Sequence, residues 1–89
     1  MLPNSFEDGN VCIVGLGYVG LTLAVVMAEA GFRVHGVEIN DRVAAQIMAG
    51  KPHFMEKGLE PRLERQVAAG RLSASTEWPD ASDVSVYIV

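Results

Sequence analysis

One cysteine in 89 residues, Cys12, excludes an intramolecular disulfide and a cysteine-based metal cluster, and it fits a reducing cytoplasm. No metal site is expected. Basic residues are also scarce: seven Lys and Arg against eleven Asp and Glu leave a net charge of −4 and no basic patch, which counts against nucleic acid as a partner. No apolar run approaches the ~20 residues of a membrane span, because Glu29 and the glycines interrupt the longest one. No membrane partner is expected either. The opening, Met1-Leu2-Pro3-Asn4-Ser5-Phe6-Glu7-Asp8, is polar and acidic where a secretory signal would be basic, and residues 1–9 read as a flexible leader. The length allows one domain at most, and a chain this size buries proportionally less surface than a full domain.

What is present is an alternation of apolar runs and turn signals. Val11–Val14 reads as a strand and Leu21–Ala30 as a helix ended by Gly31; Arg33–Glu38 reads as a second strand. Asn40 or Asp41 caps a helix that runs through Arg42 to Ala49 and stops at Gly50. A loop with Pro52 and Gly58 as breakers leads to a helix over Leu59–Ala69, ended by Gly70. The polar stretch Arg71–Thr76 reads as a third strand and Val84–Val89 as a fourth. Alternating strands and helices with right-handed crossovers predict an α/β fold: the first half of a Rossmann-like doubly wound parallel sheet, strand order 3-2-1-4, over residues 10–89. A domain with both mononucleotide halves is normally well over a hundred residues, so this is expected to be a partial one. The ligand crevice is then expected at the carboxyl ends of strands 1 and 4.

At the first strand-to-helix junction stands Gly15-Leu16-Gly17-Tyr18-Val19-Gly20. In this context each glycine answers a separate demand: Gly15 the tight turn, Gly17 the approach of a pyrophosphate that any Cβ would meet, Gly20 the close packing of helix on strand. The backbone amides and positive dipole end of the helix then hold an anion without Lys or Arg. A lone GxGxxG can arise in a loop by chance. The second half of the fingerprint is an acidic residue about 20 residues on, at the end of the next strand, and Glu38 stands there. The bland alternative for Glu38 is a solvated carboxylate starting a loop. A carboxylate that suits two ribose hydroxyls repels the 2′-phosphate of NADP, so NAD is the expected cofactor. Arg42 either tolerates a phosphate or stacks on adenine near that ribose, or is an exposed helix charge.

Other chemistry-bearing residues read as structural. Cys12, between Val11 and Ile13, reads as a small buried hydrophobe. His35 reads as a satisfied histidine in its strand. Trp78 reads as an apolar anchor closing a loop, with cofactor stacking as the alternative. The dispersed carboxylates form no spaced acid/base pair.

The blocks Val14–Leu21, Gly36-Val37-Glu38-Ile39-Asn40 and Gly50 through Phe54-Met55-Glu56-Lys57-Gly58-Leu59 resemble the amino-terminal part of the UDP-glucose/GDP-mannose dehydrogenase family. That family shows a G-L-G-Y-V-G-L loop, a D-I-N or D-I-D strand end, an E-P-G-L segment and a G-x-L-x-x-(S/T)-T third strand, here Gly70–Thr76; the similarity spans roughly residues 10–89. The resemblance implies an enzyme that oxidises the C6 alcohol of a nucleotide sugar to a carboxylate in two hydride transfers to NAD, through an aldehyde carried on a cysteine. It implies a cytoplasmic setting in polysaccharide biosynthesis and a homo-oligomer. It places Gly15, Gly17 and Gly20 at the phosphate turn, turns the amides of Tyr18 and Val19 to the pyrophosphate, and gives Glu38 the ribose position. Glu38 is one methylene longer than the usual Asp, and Lys57 replaces the usual Pro. The family's basic residue in the next helix falls one place later, at Val43, so Arg42 only borders that role. His53 is closer to members that act on UDP-N-acetylhexosamines than to those acting on UDP-glucose.

No catalytic residue transfers, because the family's cysteine and its helpers lie downstream of Val89. The expectation is therefore an NAD-binding amino-terminal fragment of a UDP-sugar 6-dehydrogenase, the substrate being UDP-glucose or a UDP-N-acetylhexosamine. Two rivals stand beside it: another NAD-dependent dehydrogenase of hydroxyacid type, and a non-catalytic nucleotide-binding or assembly module.

Overall fold

The computed structural model describes residues 9–89, so the expected leader, apart from Gly9, lies outside the described residues. Four strands form one parallel sheet: β1 (Asn10–Val14), β2 (Arg33–Val37), β3 (Leu72–Ser75) and β4 (Val86–Ile88), in the order β3-β2-β1-β4. The expected order holds. Three helices alternate with them: α1 (Tyr18–Glu29), α2 (Asp41–Met48) and α3 (Leu59–Ala68).

Strand alternation sends Val11, Ile13, Val34, Leu72 and Ala74 to one face, and there they pack with Leu21, Ala24, Val25 and Ala28 of α1, Ala44 and Ile47 of α2, and Leu59 and Leu63 of α3. All three helices therefore cover the same face, as the first half of a doubly wound sheet requires. Each fully buried Leu or Ile here is worth about 1.5–3 kcal/mol, so this one layer holds the unit together. The other face carries Ser73, His35, Cys12 and Tyr87 in register across the sheet. Glu29 and Arg62 tie α1 to α3 by two hydrogen bonds, Nε and Nη2 donating at 2.8 and 2.7 Å.

Several boundaries differ from the sequence reading, each for a local reason. Helix α1 begins at Tyr18 instead of Leu21, because the glycine motif supplies the helix's first turn as well as the bend before it. The fourth strand is only Val86–Ile88: Asp80 caps a 3-10 turn over Ala81–Asp83, and Ser85 reaches β1 by one bond, its amide donating to the Asn10 carbonyl at 2.8 Å. The third strand is Leu72–Ser75, and its polarity has a cause. Ser73 and Ser75 point away from the helices toward His35, whose Nδ1 lies 2.9 Å from Ser73 Oγ and whose Nε2 lies 3.2 Å from the Glu77 carbonyl. Ser75 Oγ lies 3.2 Å from the same Nε2, so both ring nitrogens have partners. His35 is satisfied, as expected.

Trp78 departs from expectation. It is 61% exposed and closes no core; its ring lies 6.4 Å from that of Tyr87 on β4. Tyr87 lies on the sheet face opposite the helices, so the indole beside it joins none of the helical core. Cys12 is wholly buried in β1, and burial pushes its thiol pKa up, away from the reactive thiolate.

Candidate functional site

The turn after β1 begins as a continuation of the sheet, the Gly15 amide donating to the Val37 carbonyl at 2.8 Å. It then reverses at Gly15, whose φ of +89° is open to glycine and strained for other residues. Gly17 caps α1 with no side-chain bond, and no acidic residue stands in the helix's first turn. The first main-chain bond into the helix is Leu21 N–H to the Gly17 carbonyl at 2.9 Å, which leaves the Tyr18 and Val19 amides outside the helical ladder. This helix end is uncapped and positive.

The glycines differ in what constrains them. A Cβ on Gly20 would stand 2.0 Å from the Gly15 carbonyl oxygen, so that glycine is demanded by the fold itself. A Cβ on Gly17 would meet nothing within 4 Å. Nothing among the described residues requires glycine at 17; what its absent side chain leaves is open space beside the free amides, a cradle of the kind a pyrophosphate needs.

Glu38 follows β2 at the same end of the sheet, its amide anchored on the Ser75 carbonyl at 2.9 Å. Its carboxylate is held by two main-chain donors: Leu16 N–H reaches Oε1 and Asn40 N–H reaches Oε2, both at 3.1 Å. This disposes of the freely solvated carboxylate. Each oxygen keeps acceptor capacity beyond the single bond it makes, facing the glycine turn. Asn40, not Asp41, caps α2, its Oδ1 accepting from Arg42 N at 3.0 Å and Val43 N at 3.2 Å. Arg42 is thereby placed in the exposed first turn of α2, and its guanidinium meets no carboxylate among the described residues.

Gly15, Gly17, Gly20, Tyr18, Val19 and Glu38 thus gather at the carboxyl ends of β1 and β2, while Arg42 stands one segment away. Two contributors escaped the sequence reading, and a third entered it only through the family resemblance. Leu16 is fully buried beneath the turn, and Gly36 in β2 makes room for it: a Cβ there would lie 2.3 Å from Leu16 Cδ1. A glycine inside an apolar strand marks close approach, so Gly36 carried a readable signal. The loop before α3 is the third. Phe54 lies 5.2 Å from the Tyr18 ring, and the Glu56 carboxylate, to which the Tyr18 hydroxyl donates, pushes the phenol pKa up. His53 stands edge-on to Phe54 at 5.0 Å with its Nδ1 buried and unpartnered. A cleft of about 290 Å³ lined by Asn10, Arg33 and Arg71 lies at the opposite, amino-terminal pole of the sheet, away from all of these groups.

The arrangement can bind an anion at the helix end and a diol at the carboxylate. It offers no nucleophile and, among the described residues, no cluster of His, Cys, Asp and Glu able to hold a metal. No helix among them is long and apolar enough to cross a membrane.

Known proteins share this layout. The UDP-N-acetyl-D-mannosamine dehydrogenase of Methanococcus aeolicus is 37% identical over 83 residues, covering 93% of this chain and 19% of the relative. The GDP-mannose 6-dehydrogenase of Pseudomonas putida is 38% identical over 83 residues, covering 90% and 19%. Among solved structures, a UDP-glucose dehydrogenase from Pyrobaculum islandicum superposes with a TM-score of 0.76 at 38% identity over 86% of this chain and 18% of that one. The UDP-N-acetyl-mannosamine dehydrogenase of Staphylococcus aureus gives 0.79 at 36% identity over 90% and 19%. The chain spans about a fifth of the length of these relatives. The family model for the NAD binding domain of the UDP-glucose/GDP-mannose dehydrogenase family matches residues 9–89. The chain belongs to that family, as its NAD-binding domain, and its cofactor is NAD.

Proposed function

We propose that this chain is the amino-terminal NAD-binding part of a nucleotide-sugar 6-dehydrogenase, which oxidises the C6 alcohol of a UDP-sugar to the uronate. The observation that carries the reading is the Glu38 carboxylate, fixed by the Leu16 amide beside an uncapped helix end. Gly15 turns the chain, Gly17 leaves room for the pyrophosphate, and the Tyr18 and Val19 amides donate to it. Gly20 lets α1 lie against the turn. Glu38 accepts from the adenosine ribose hydroxyls, and Arg42 borders the adenine. Bound NAD supplies the hydride acceptor; the residues of this chain bind and orient it and move no proton.

Sugar choice falls outside this part. Relatives named for UDP-N-acetyl-D-mannosamine and GDP-mannose are 37% and 38% identical to the chain, a pattern expected where cofactor recognition is shared and substrate recognition lies elsewhere. As a mark of resemblance to certain members and not a sugar contact, His53 supports a UDP-N-acetylhexosamine over UDP-glucose as the substrate. The reading carries a cytoplasmic setting, supported by the lone unpaired cysteine, and a homo-oligomer, as the resemblance implies.

Calorimetric titration of the chain with NAD and NADP tests the cofactor site, and NADH formation by the longer gene product from UDP-N-acetylmannosamine, UDP-glucose and GDP-mannose tests the reaction. Preference for NAD and turnover of one UDP-sugar are expected. Equal affinity for both cofactors, or turnover of none of the three sugars, overturns the proposal.

A further inference from the structure

Within the turn Gly15-Leu16-Gly17, only Leu16 has a side chain with which to anchor the loop. That side chain is fully buried, and its seat is the bare α-carbon of Gly36 on β2. A Cβ at Gly36 would come within 2.3, 2.6 and 2.7 Å of Leu16 Cδ1, Cδ2 and Cγ. Carbon atoms pack at about 3.5–4.0 Å, and the Leu16 side chain is fully buried in the close-packed core, so its branch atoms have no free space to turn into. The loop itself would have to lift. Lifting it withdraws the Leu16 amide, which at 3.1 Å is one of the two donors that hold the Glu38 carboxylate; the other, Asn40 N–H, belongs to the segment after β2 and stays.

We propose that Gly36 is the positioning residue of the adenosine end of the site: it seats Leu16, the seated loop holds Glu38 on the Leu16 amide, and the carboxylate so held sets the preference for NAD over NADP. A carboxylate pinned from two segments cannot swing aside to admit a 2′-phosphate; one held only by Asn40 can. The proposal rests on the reading of Glu38 as the ribose acceptor. It adds that a glycine which touches no ligand decides where that acceptor stands.

The test uses the isotopically labelled chain as the parent, the Gly36→Ala variant, and the Leu16→Ala/Gly36→Ala double variant, in which the shorter side chain makes room for the added methyl. Amide hydrogen exchange at position 16 and the NAD/NADP affinity ratio are read for each. In Gly36→Ala the amide is expected to exchange faster, and NAD to bind roughly tenfold more weakly with a narrowed ratio, as expected on loss of a hydrogen bond to a charged group. The double variant regains most of both. Should Gly36→Ala fail to fold, the double variant is still expected to fold, with position 16 protected. A position-16 amide unaffected by Gly36→Ala, or a double variant as exposed there as the single, overturns the positioning role whatever NAD does. An amide released while the NAD/NADP ratio stays at the parent's value overturns instead the ribose reading of Glu38.

Discussion

The amide of Leu16 donates to the carboxylate of Glu38 at 3.1 Å, joining two halves of a fingerprint that lie 22 residues apart in sequence. The acidic residue is therefore both the proposed acceptor for the ribose and a strut of the phosphate turn. A substitution there acts on both.

Glu38→Ala is expected to weaken NAD by roughly 1–3 kcal/mol, the scale of losing hydrogen bonds to a charged acceptor, and to narrow the gap between NAD and NADP. Titration calorimetry with both cofactors checks it. Because Leu16 and Asn40 lose their acceptor as well, the unliganded variant should also show faster exchange at both amides.

The glycines at 17 and 20 should separate binding from folding. A side chain at Gly17 stands in open space, so Gly17→Val should leave the urea midpoint near the parent's and abolish NAD binding. At Gly20 the added carbon would press on the Gly15 carbonyl, so Gly20→Ala should destabilise the fold by about 1–3 kcal/mol, the usual range for overpacking. Equal loss of stability in the two variants contradicts this division.

Tyr18 and Glu56 give a spectroscopic prediction. The carboxylate that accepts from the phenol and repels the phenolate raises the Tyr18 pKa, so Glu56→Gln should lower it toward the ordinary phenol value. Ultraviolet titration in a Tyr87→Phe background reads Tyr18 alone, since the chain has two tyrosines.

Glu29 gives a pH dependence of stability. The Arg62 guanidinium, bonded to both carboxylate oxygens, holds the Glu29 pKa below its ordinary value. A depressed carboxylate contributes stability above its unfolded pKa and loses it as pH falls through the folded one. Parent and Arg62→Gln should therefore differ slightly in urea midpoint at neutral pH and converge in acid. A difference that grows on acidification contradicts the assignment. The pair is solvent-exposed, which keeps the effect small.

The 89-residue chain by itself should bind NAD more weakly than micromolar, on the order of less than 8 kcal/mol, and form no NADH from a UDP-sugar. Its cysteine is buried in β1, and its donors face one half of the dinucleotide. Strand β4 also leaves an edge with Val86 and Tyr87 exposed, so concentration-dependent self-association is expected in sedimentation.

The sequence by itself determined the order of elements, the sheet topology and the place of the glycine turn, because these follow from local periodicity, helix-ending glycines and the handedness of parallel crossovers. It also placed Glu38, since the spacing of one βαβ unit puts that position at the end of the second strand. Tertiary structure decided what holds those residues where they stand. Which atom Gly20 packs against, why β2 has Gly36, and which amides grip Glu38 are contacts across a turn or between segments about 20 residues apart. Periodicity along one chain segment carries no information about them. The same reason explains the exposed Trp78: an indole reads as an anchor in sequence, but only the packed sheet shows that the helical layer lies on its far side.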